Sequence, residues 1–86
     1  MTIIKDTHLT IKELMPLLTM DTFTVILKTD VIDEYFPYDM SDYSISELME
    51  RCIYNGYISS LTNSHIKAME ACYMTIVDNA LVIVVF

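Results

Sequence analysis

Four side chains in this sequence are of the types that bind zinc or act as nucleophiles: His8, Cys52, His65 and Cys72. No pair among them has the C-x2-4-C or H-x3-5-H spacing that makes a zinc site specific. A Cys–His nucleophile pair would need the same residues, but nothing in the sequence brings two of them together or supplies a group to orient the histidine. We therefore predict no metal, no cofactor and no enzyme active site. Both cysteines are interpreted as buried, reduced thiols.

The sequence also lacks motifs that bind phosphate groups or nucleic acid. Gly56 is the only glycine in the chain, so there is no loop of the P-loop or dinucleotide-binding type. Tyr54, Tyr57 and Tyr73 have rings that can stack on bases, but nucleic-acid binding also needs a basic patch, which the chain lacks. We expect no direct contact with nucleic acid.

The most informative feature is the distribution of charge. The chain has a formal net charge of −7, and residues 30–50, here called the acidic segment, contain seven carboxylates and no Lys or Arg. The remainder of the chain has five acids and five bases, so the whole excess lies in about one quarter of its length. The acids are Asp30, Asp33, Glu34, Asp39, Asp42, Glu47 and Glu50, and aromatic residues lie between them.

A field of this sign repels nucleic acid and anionic membranes and attracts basic protein surfaces. Tyrosines are favoured anchors at protein interfaces. The predicted partner-binding residues are therefore Asp30, Asp33, Glu34, Tyr35, Tyr38, Asp39, Asp42, Glu47 and Glu50. A simpler interpretation stays open: acids near the start of a helix are stabilised by its dipole and need no partner. The spacing from Asp30 to Asp42 lacks the glycine and the ligand order of an EF-hand loop.

The elements that must position this segment are organised around residues 71–86. They read as two strands joined at Asp78-Asn79, and the run 82–85 is apolar on both faces, which predicts a strand covered on two sides. A strand with alternating faces is predicted at 23–29, and Val31 to Phe36 is interpreted as its returning partner, limited by Pro37. Residues 2–5 could add a further edge strand or be disordered.

Two capping boxes predict helix starts, Thr10 to Glu13 and Ser44 to Glu47. Pro16 should end or kink the first helix. Behind the second box, Ile45, Leu48, Met49, Cys52 and Ile53 have helical spacing, and Glu47 and Arg51 are four residues apart on it. Asn55-Gly56 is expected to end this helix. Residues 57–64 read as a polar connection, and 64–72 fit either a short helix or a strand, with a strand from about Met69 favoured.

Together these elements predict a small single α+β domain spanning 1–86, with a three- to four-stranded antiparallel sheet packed by two helices. The longest apolar run, 80–86, is shorter than a membrane span needs. The first residues carry no apolar core of a secretory signal, so a cytoplasmic location is expected. An apolar fraction of 53% suggests that part of the surface enters an interface, and a homodimer is the default form.

A small acidic, Met- and Tyr-rich chain with a T-x-x-E-L helix start at Thr10 to Leu14 and a terminal strand Asn79-Ala-Leu-Val-Ile83 resembles the accessory proteins of phages and mobile elements in low-GC Gram-positive bacteria. Anti-CRISPR and anti-restriction proteins of this kind inhibit host nucleases by presenting carboxylates in place of phosphates. The resemblance implies an inhibitor in the host cytoplasm that binds a nucleic-acid-binding defence protein. The alternative is an assembly subunit that forms a homo-oligomer through its C-terminal strand or a Met-rich face.

Overall fold

A computed structural model describes the backbone of residues 4–5 and all of residues 9–18 and 21–86. Its strands are β1 (Ile4–Lys5), β2 (Phe23–Lys28), β3 (Tyr54–Tyr57), β4 (Ala71–Val77) and β5 (Ala80–Val85). Its α-helices are α1 (Ile11–Leu14), α2 (Thr29–Tyr35), α3 (Ile45–Met49) and α4 (Ser64–Lys67). Short 3-10 turns occupy Met15–Leu17, Met40–Asp42 and Ile58–Ser60.

The strands form a single five-stranded sheet with the order β1-β4-β5-β2-β3. The α+β class is confirmed, but the sheet is mixed and not antiparallel throughout as predicted. Four strands match the prediction, and the two-residue β1 is the extra edge strand. β2 and β5 run parallel, from Thr24 opposite Leu81 to Lys28 opposite Val85, whereas the other neighbouring strands pair antiparallel. A parallel pair needs a long crossover, and here the whole stretch between β2 and β5 provides it.

β5 is the centre of the molecule. It is paired on both edges, and Val82, Ile83, Val84 and Val85 are all fully buried. The prediction of a strand covered on both faces is therefore confirmed. Alternate side chains of β5 enter two different cores, because successive residues of a strand point to opposite faces of the sheet.

Helices cover both faces of this sheet. The first cluster lies on one face and includes Ile11 and Leu14 of α1, Ile66 of α4, and Ile58 and Leu61. The second cluster lies on the other face and includes Leu48 of α3 together with Phe36 and Met40. Two helices were predicted. The described residues instead form four short helices in two layers, because a sheet buried on both faces needs cover on each.

The turn between β4 and β5 is a tight hairpin. Asp78 and Asn79 have φ values of 49° and 64°, so both central residues lie in the left-handed region that a type I′ turn requires. Asp and Asn tolerate that region better than most residues. The predicted turn at this pair is confirmed.

The returning strand predicted at Val31 to Phe36 is wrong, because this stretch forms α2. Val31 and Ile32 pack against the second cluster, and Phe36 is buried four residues after Ile32. This spacing belongs to a helix. The residue before a proline avoids helical geometry, and Phe36, which precedes Pro37, is indeed non-helical with φ −131° and ψ 62°.

The second amphipathic helix is shorter than its pattern predicted. α3 ends at Met49, and Asn55-Gly56 lies inside β3 rather than after a helix. Gly56 has φ +144°, and a Cβ there would lie 3.1 Å from the Tyr54 hydroxyl. The glycine thus makes room for the Tyr54 side chain beside it on the strand, where Tyr54 Oη donates to the Tyr57 carbonyl at 2.7 Å.

The remaining predictions concern helix starts and strand boundaries. Both capping boxes are present, at Thr10–Glu13 and at Ser44–Glu47, and α1 gives way to a 3-10 turn at Pro16. Residues 64–72 begin as a short helix, and β4 starts at Ala71, later than the favoured strand start at Met69. β1 supplies the extra edge strand at 4–5, while residues 2 and 3 lie outside the described residues. No helix in the described part of the chain has the length and apolar character to cross a membrane.

Candidate protein-docking site

The acidic segment folds over the second face of the sheet. Phe36 and Met40 are 6% exposed and Leu48 is fully buried, so these three side chains anchor the segment in the second cluster. Because the apolar residues point towards the sheet, the polar residues between them are left on the outside. The segment thus owes its placement to its own apolar residues.

The irregular stretch between α2 and the 3-10 turn at Met40–Asp42 is held by aromatic contacts. The rings of Phe36 and Tyr43 meet edge to face, with centroids 5.0 Å apart. The Tyr43 hydroxyl accepts a hydrogen bond from the Tyr38 amide at 3.2 Å. These contacts fix the backbone conformation at Tyr38 and Asp39.

All seven carboxylates of the acidic segment are exposed to solvent. Three of them accept local hydrogen bonds. Asp39 Oδ1 accepts from the amide and hydroxyl of Ser41 at 2.9 and 2.8 Å, and Glu47 Oε1 accepts from the amide and hydroxyl of Ser44, both at 3.2 Å. Asp30 Oδ1 accepts from the Val31 amide at 2.9 Å. Asp30, Asp39 and Glu47 therefore contribute to the local fold whether or not a partner is present.

Asp39 shows the electrostatic effect of such bonds. Donation from the Ser41 backbone amide, and second from the Ser41 hydroxyl, lowers the pKa of the Asp39 carboxyl below its ordinary value of 3.8. The bonds stabilise the ionised form. Asp39 therefore stays negatively charged to a lower pH than an isolated aspartate.

The other four carboxylates are Asp33, Glu34, Asp42 and Glu50. None forms a hydrogen bond or ion pair with another residue in the ranges 9–18 and 21–86. Their oxygens can therefore bind a partner without loss of a hydrogen bond or ion pair to these described residues. Among the sequence-predicted site residues, these four are the best suited to binding.

The two predicted tyrosines differ in their surroundings. Tyr38 is 74% exposed, whereas Tyr35 is 43% exposed and its ring lies under the guanidinium of Arg51, whose Cζ is 3.6 Å from the ring centroid. Arg51 was expected to pair with Glu47 across one turn of helix. Because α3 ends at Met49, Arg51 lies beyond the helix and contacts Tyr35 instead.

Sequence reasoning did not assign Arg51 and Tyr73 to this region. Arg51 places a positive charge at the border of the acidic segment, and its nearness to Tyr35 depends on how α2 and α3 pack. Tyr73 of β4 lies beneath the segment, and its pKa is raised first by burial and then by the charges of Cys72, Asp33 and Asp39. The bulge at Cys72, which lets both Cys72 and Tyr73 pack against the second cluster, had no signal in the sequence.

The cysteines and histidines do not assemble into a site. Cys52 and Cys72 are not joined in a disulfide, and both are half-buried against the second cluster. Cys52 Sγ donates to the Met49 carbonyl at 3.2 Å and accepts from Asn55 Nδ2 at 3.4 Å. His65 is exposed, and His8 lies outside the described residues. Over the described ranges, no three His, Cys, Asp or Glu side chains form a group that could hold a metal ion.

The chain was compared with protein-family models, with curated proteins and with solved structures, and no match was found in any of the three.

Proposed function

We propose that this protein is a non-enzymatic binding protein whose acidic segment docks on a basic surface of another protein. The observation that supports this is the exposure of all seven carboxylates in a 21-residue segment without Lys or Arg. Four of these carboxylates are not engaged by the described fold. A surface of this kind attracts a basic partner at long range and orients it before contact.

The class of partner follows from the charge. Basic grooves are the usual surfaces of proteins that bind nucleic acid, and carboxylates placed on one such groove compete with phosphates for the same lysines and arginines. Exposed Tyr38 adds an aromatic anchor among the acids. The resemblance to anti-CRISPR and anti-restriction proteins makes a host nuclease the first partner to test, with this chain as a phage-encoded inhibitor in the host cytoplasm.

The assembly hypothesis has less support. β5 lies at the centre of the sheet with both edges paired, so it has no free edge for a second subunit. Of the methionines in the described residues, Met40 and Met74 are buried, and Met15, Met49 and Met69 pack against the two clusters. The edges of β5 and these five described methionines therefore lend no support to a homodimer.

The deciding experiment is a pull-down from a bacterial lysate with three baits. The first is the unchanged protein, and the second carries Asp33→Asn, Glu34→Gln, Asp42→Asn and Glu50→Gln. The third bait keeps the charge and changes only the side-chain length at the same positions. Its substitutions are Asp33→Glu, Glu34→Asp, Asp42→Glu and Glu50→Asp. The four positions are exposed and accept no hydrogen bond from residues 9–18 or 21–86, so all three baits should fold equally well.

We expect the unchanged and charge-keeping baits to retain a nucleic-acid-binding protein that excess duplex DNA displaces. The neutralised bait should lose it. Washing at about 0.5 M salt should also release the partner. Charges then attract each other only over distances shorter than the ~10 Å Debye length of 0.1 M salt. Retention by the neutralised bait, or no displacement by DNA, would refute the proposal.

A further inference from the structure

A second candidate site lies on the opposite face of the sheet from the acidic segment. It is a pocket of about 550 Å³ lined by Thr10, Lys12, Thr62, Ser64, Lys67 and Ala68. α1 and α4 form its walls, and the buried side chains of both helices enter the first cluster. The pocket therefore belongs to a different helical layer from the residues that are proposed to bind a protein.

The walls of this pocket are held by hydrogen bonds of the backbone and of the Asn63 side chain. The Ile11 amide donates to the Met69 carbonyl at 2.9 Å, and Thr10 bridges to Glu70, so the start of α1 is tied to the start of β4. At the start of α4, Asn63 Oδ1 accepts from the Ile66 amide at 3.1 Å. A pocket bounded by such fixed elements exists before its ligand binds, which reduces the entropic cost of binding.

The chemistry of the lining is unusual for this chain. Two of its five basic side chains, Lys12 and Lys67, line one pocket in a protein of net charge −7. Thr62 and Ser64 add hydroxyl groups that can donate, whereas the Thr10 hydroxyl already donates to Glu13, and no carboxylate is among the described residues that line the pocket. The neighbouring carboxylate of Glu13 accepts from the amide and hydroxyl of Thr10, at 3.0 and 3.1 Å.

We propose that this pocket binds the phosphoryl group of a small phosphorylated molecule. Two ammonium groups match the charge of a phosphate dianion, and hydroxyls donate hydrogen bonds to its oxygens. The volume is in the range of pockets that take small molecules and exceeds what a bare phosphate fills. A polynucleotide is a poor ligand, because the strongly negative remainder of the chain would repel its further phosphates.

The test is a titration of the isotope-labelled full chain, followed by the amide signals of residues 10–12 and 62–68. The probes are inorganic phosphate and adenosine monophosphate, each added at constant ionic strength with sodium chloride as the reference. We expect saturable shifts confined to these residues with both probes. Tighter binding of adenosine monophosphate identifies a ligand with an organic body, and equal binding identifies free phosphate.

Charge variants separate specific binding from general attraction. Lys12→Gln and Lys67→Gln should each weaken phosphate binding at least about tenfold, because each removes a charge-assisted hydrogen bond. Lys28→Gln, at the end of β2, removes the same charge outside the pocket lining and should leave the affinity unchanged. The charge-keeping double variant Lys12→Arg/Lys67→Arg should retain binding. Shifts that do not saturate, or that persist unchanged in the Lys12→Gln/Lys67→Gln variant, would overturn the proposal.

Discussion

Oδ2 of Asp78 accepts a hydrogen bond from the backbone amide of Ile45 at 2.9 Å, across 33 residues of sequence. Ile45 is the first residue of α3, and its amide has no partner within the helix. Asp78 sits in the β4–β5 turn with φ 49°. One side chain thus joins the central hairpin to the helix that closes the acidic segment, and it places a negative charge at a helix N-terminus.

Removing this contact should destabilise the fold. We expect Asp78→Gly to lower the free energy of unfolding by about 1 kcal/mol, the usual net contribution of one hydrogen bond, although glycine suits the backbone of the turn. Asn79→Gly is the matched control, because it makes the same change at the next left-handed residue and should cost little. Urea unfolding of both variants provides the measurement. Equal stability of Asp78→Gly and the unchanged protein would contradict the assigned role.

The central strand should be far more sensitive to truncation than the strand beside it. Ile83 is fully buried in β5, and Ile76 in β4 is 45% exposed. Removing one methylene by Ile83→Val should cost about 1 kcal/mol, whereas Ile76→Val should cost less than half of that. Both changes in the free energy of unfolding are measured from the shift of the urea midpoint, provided that the slope m is unchanged. Equal losses would mean that β5 does not occupy the middle of the core.

The first capping box should make stability depend on pH. The Thr10 amide, and second its hydroxyl, hold the pKa of Glu13 below its ordinary value of 4.5. A group whose pKa is lower in the native state stabilises it fully above the unfolded pKa and loses that effect as the pH falls through the native value. The Glu13 contribution should therefore decline below about pH 4.5.

This decline can be assigned by substitution. Glu13→Gln keeps the capping-box acceptor but does not titrate, so its stability should fall less than that of the unchanged protein between about pH 6 and pH 3. Thr10→Val removes the hydroxyl but keeps the backbone amide, which is the larger cause of the lowered pKa of Glu13. This variant should therefore restore only part of the ordinary pKa of Glu13. Stability curves for Glu13→Gln that run parallel to those of the unchanged protein would contradict the assignment.

Arg51 and Tyr35 should be energetically coupled. A double-mutant cycle with Arg51→Gln and Tyr35→Leu is expected to give a coupling free energy of about 0.5 kcal/mol, typical of an exposed cation–π contact. The same cycle with Glu47→Gln in place of Tyr35→Leu should give a value near zero, because Glu47 serves the capping box. A larger coupling to Glu47 would restore the helical ion pair that the sequence suggested.

Local chemistry in the sequence was enough to predict several parts of this fold. Thr10–Glu13 and Ser44–Glu47 form their capping boxes, since each requires only residues three apart. Asp78-Asn79 forms the hairpin turn, and the run Val82 to Val85 is buried on both faces as its composition indicated. The exposure of the seven carboxylates likewise follows from their charge.

Helix and strand could not be separated where short apolar runs fit both. The stretch Val31 to Phe36 is short enough to fit either a strand or a helix, and the surface against which its apolar residues pack decides between them. The pattern from Ile45 to Ile53 read as one helix, but Ile53 packs in the first cluster whereas Ile45 packs in the second. The chain crosses from one face of the sheet to the other between them, and no local signal marks that crossing.

The sequence by itself determined which residues cap, turn and carry charge, because these properties depend on neighbours a few positions away. Only the tertiary structure decided that β2 lies parallel to β5, that Arg51 covers Tyr35, and that Lys12 and Lys67 line one pocket. Each of these joins residues at least 16 positions apart. Such contacts form only when both faces of the sheet are buried. The packing of the whole core stabilises them, so no single stretch of sequence predicts them.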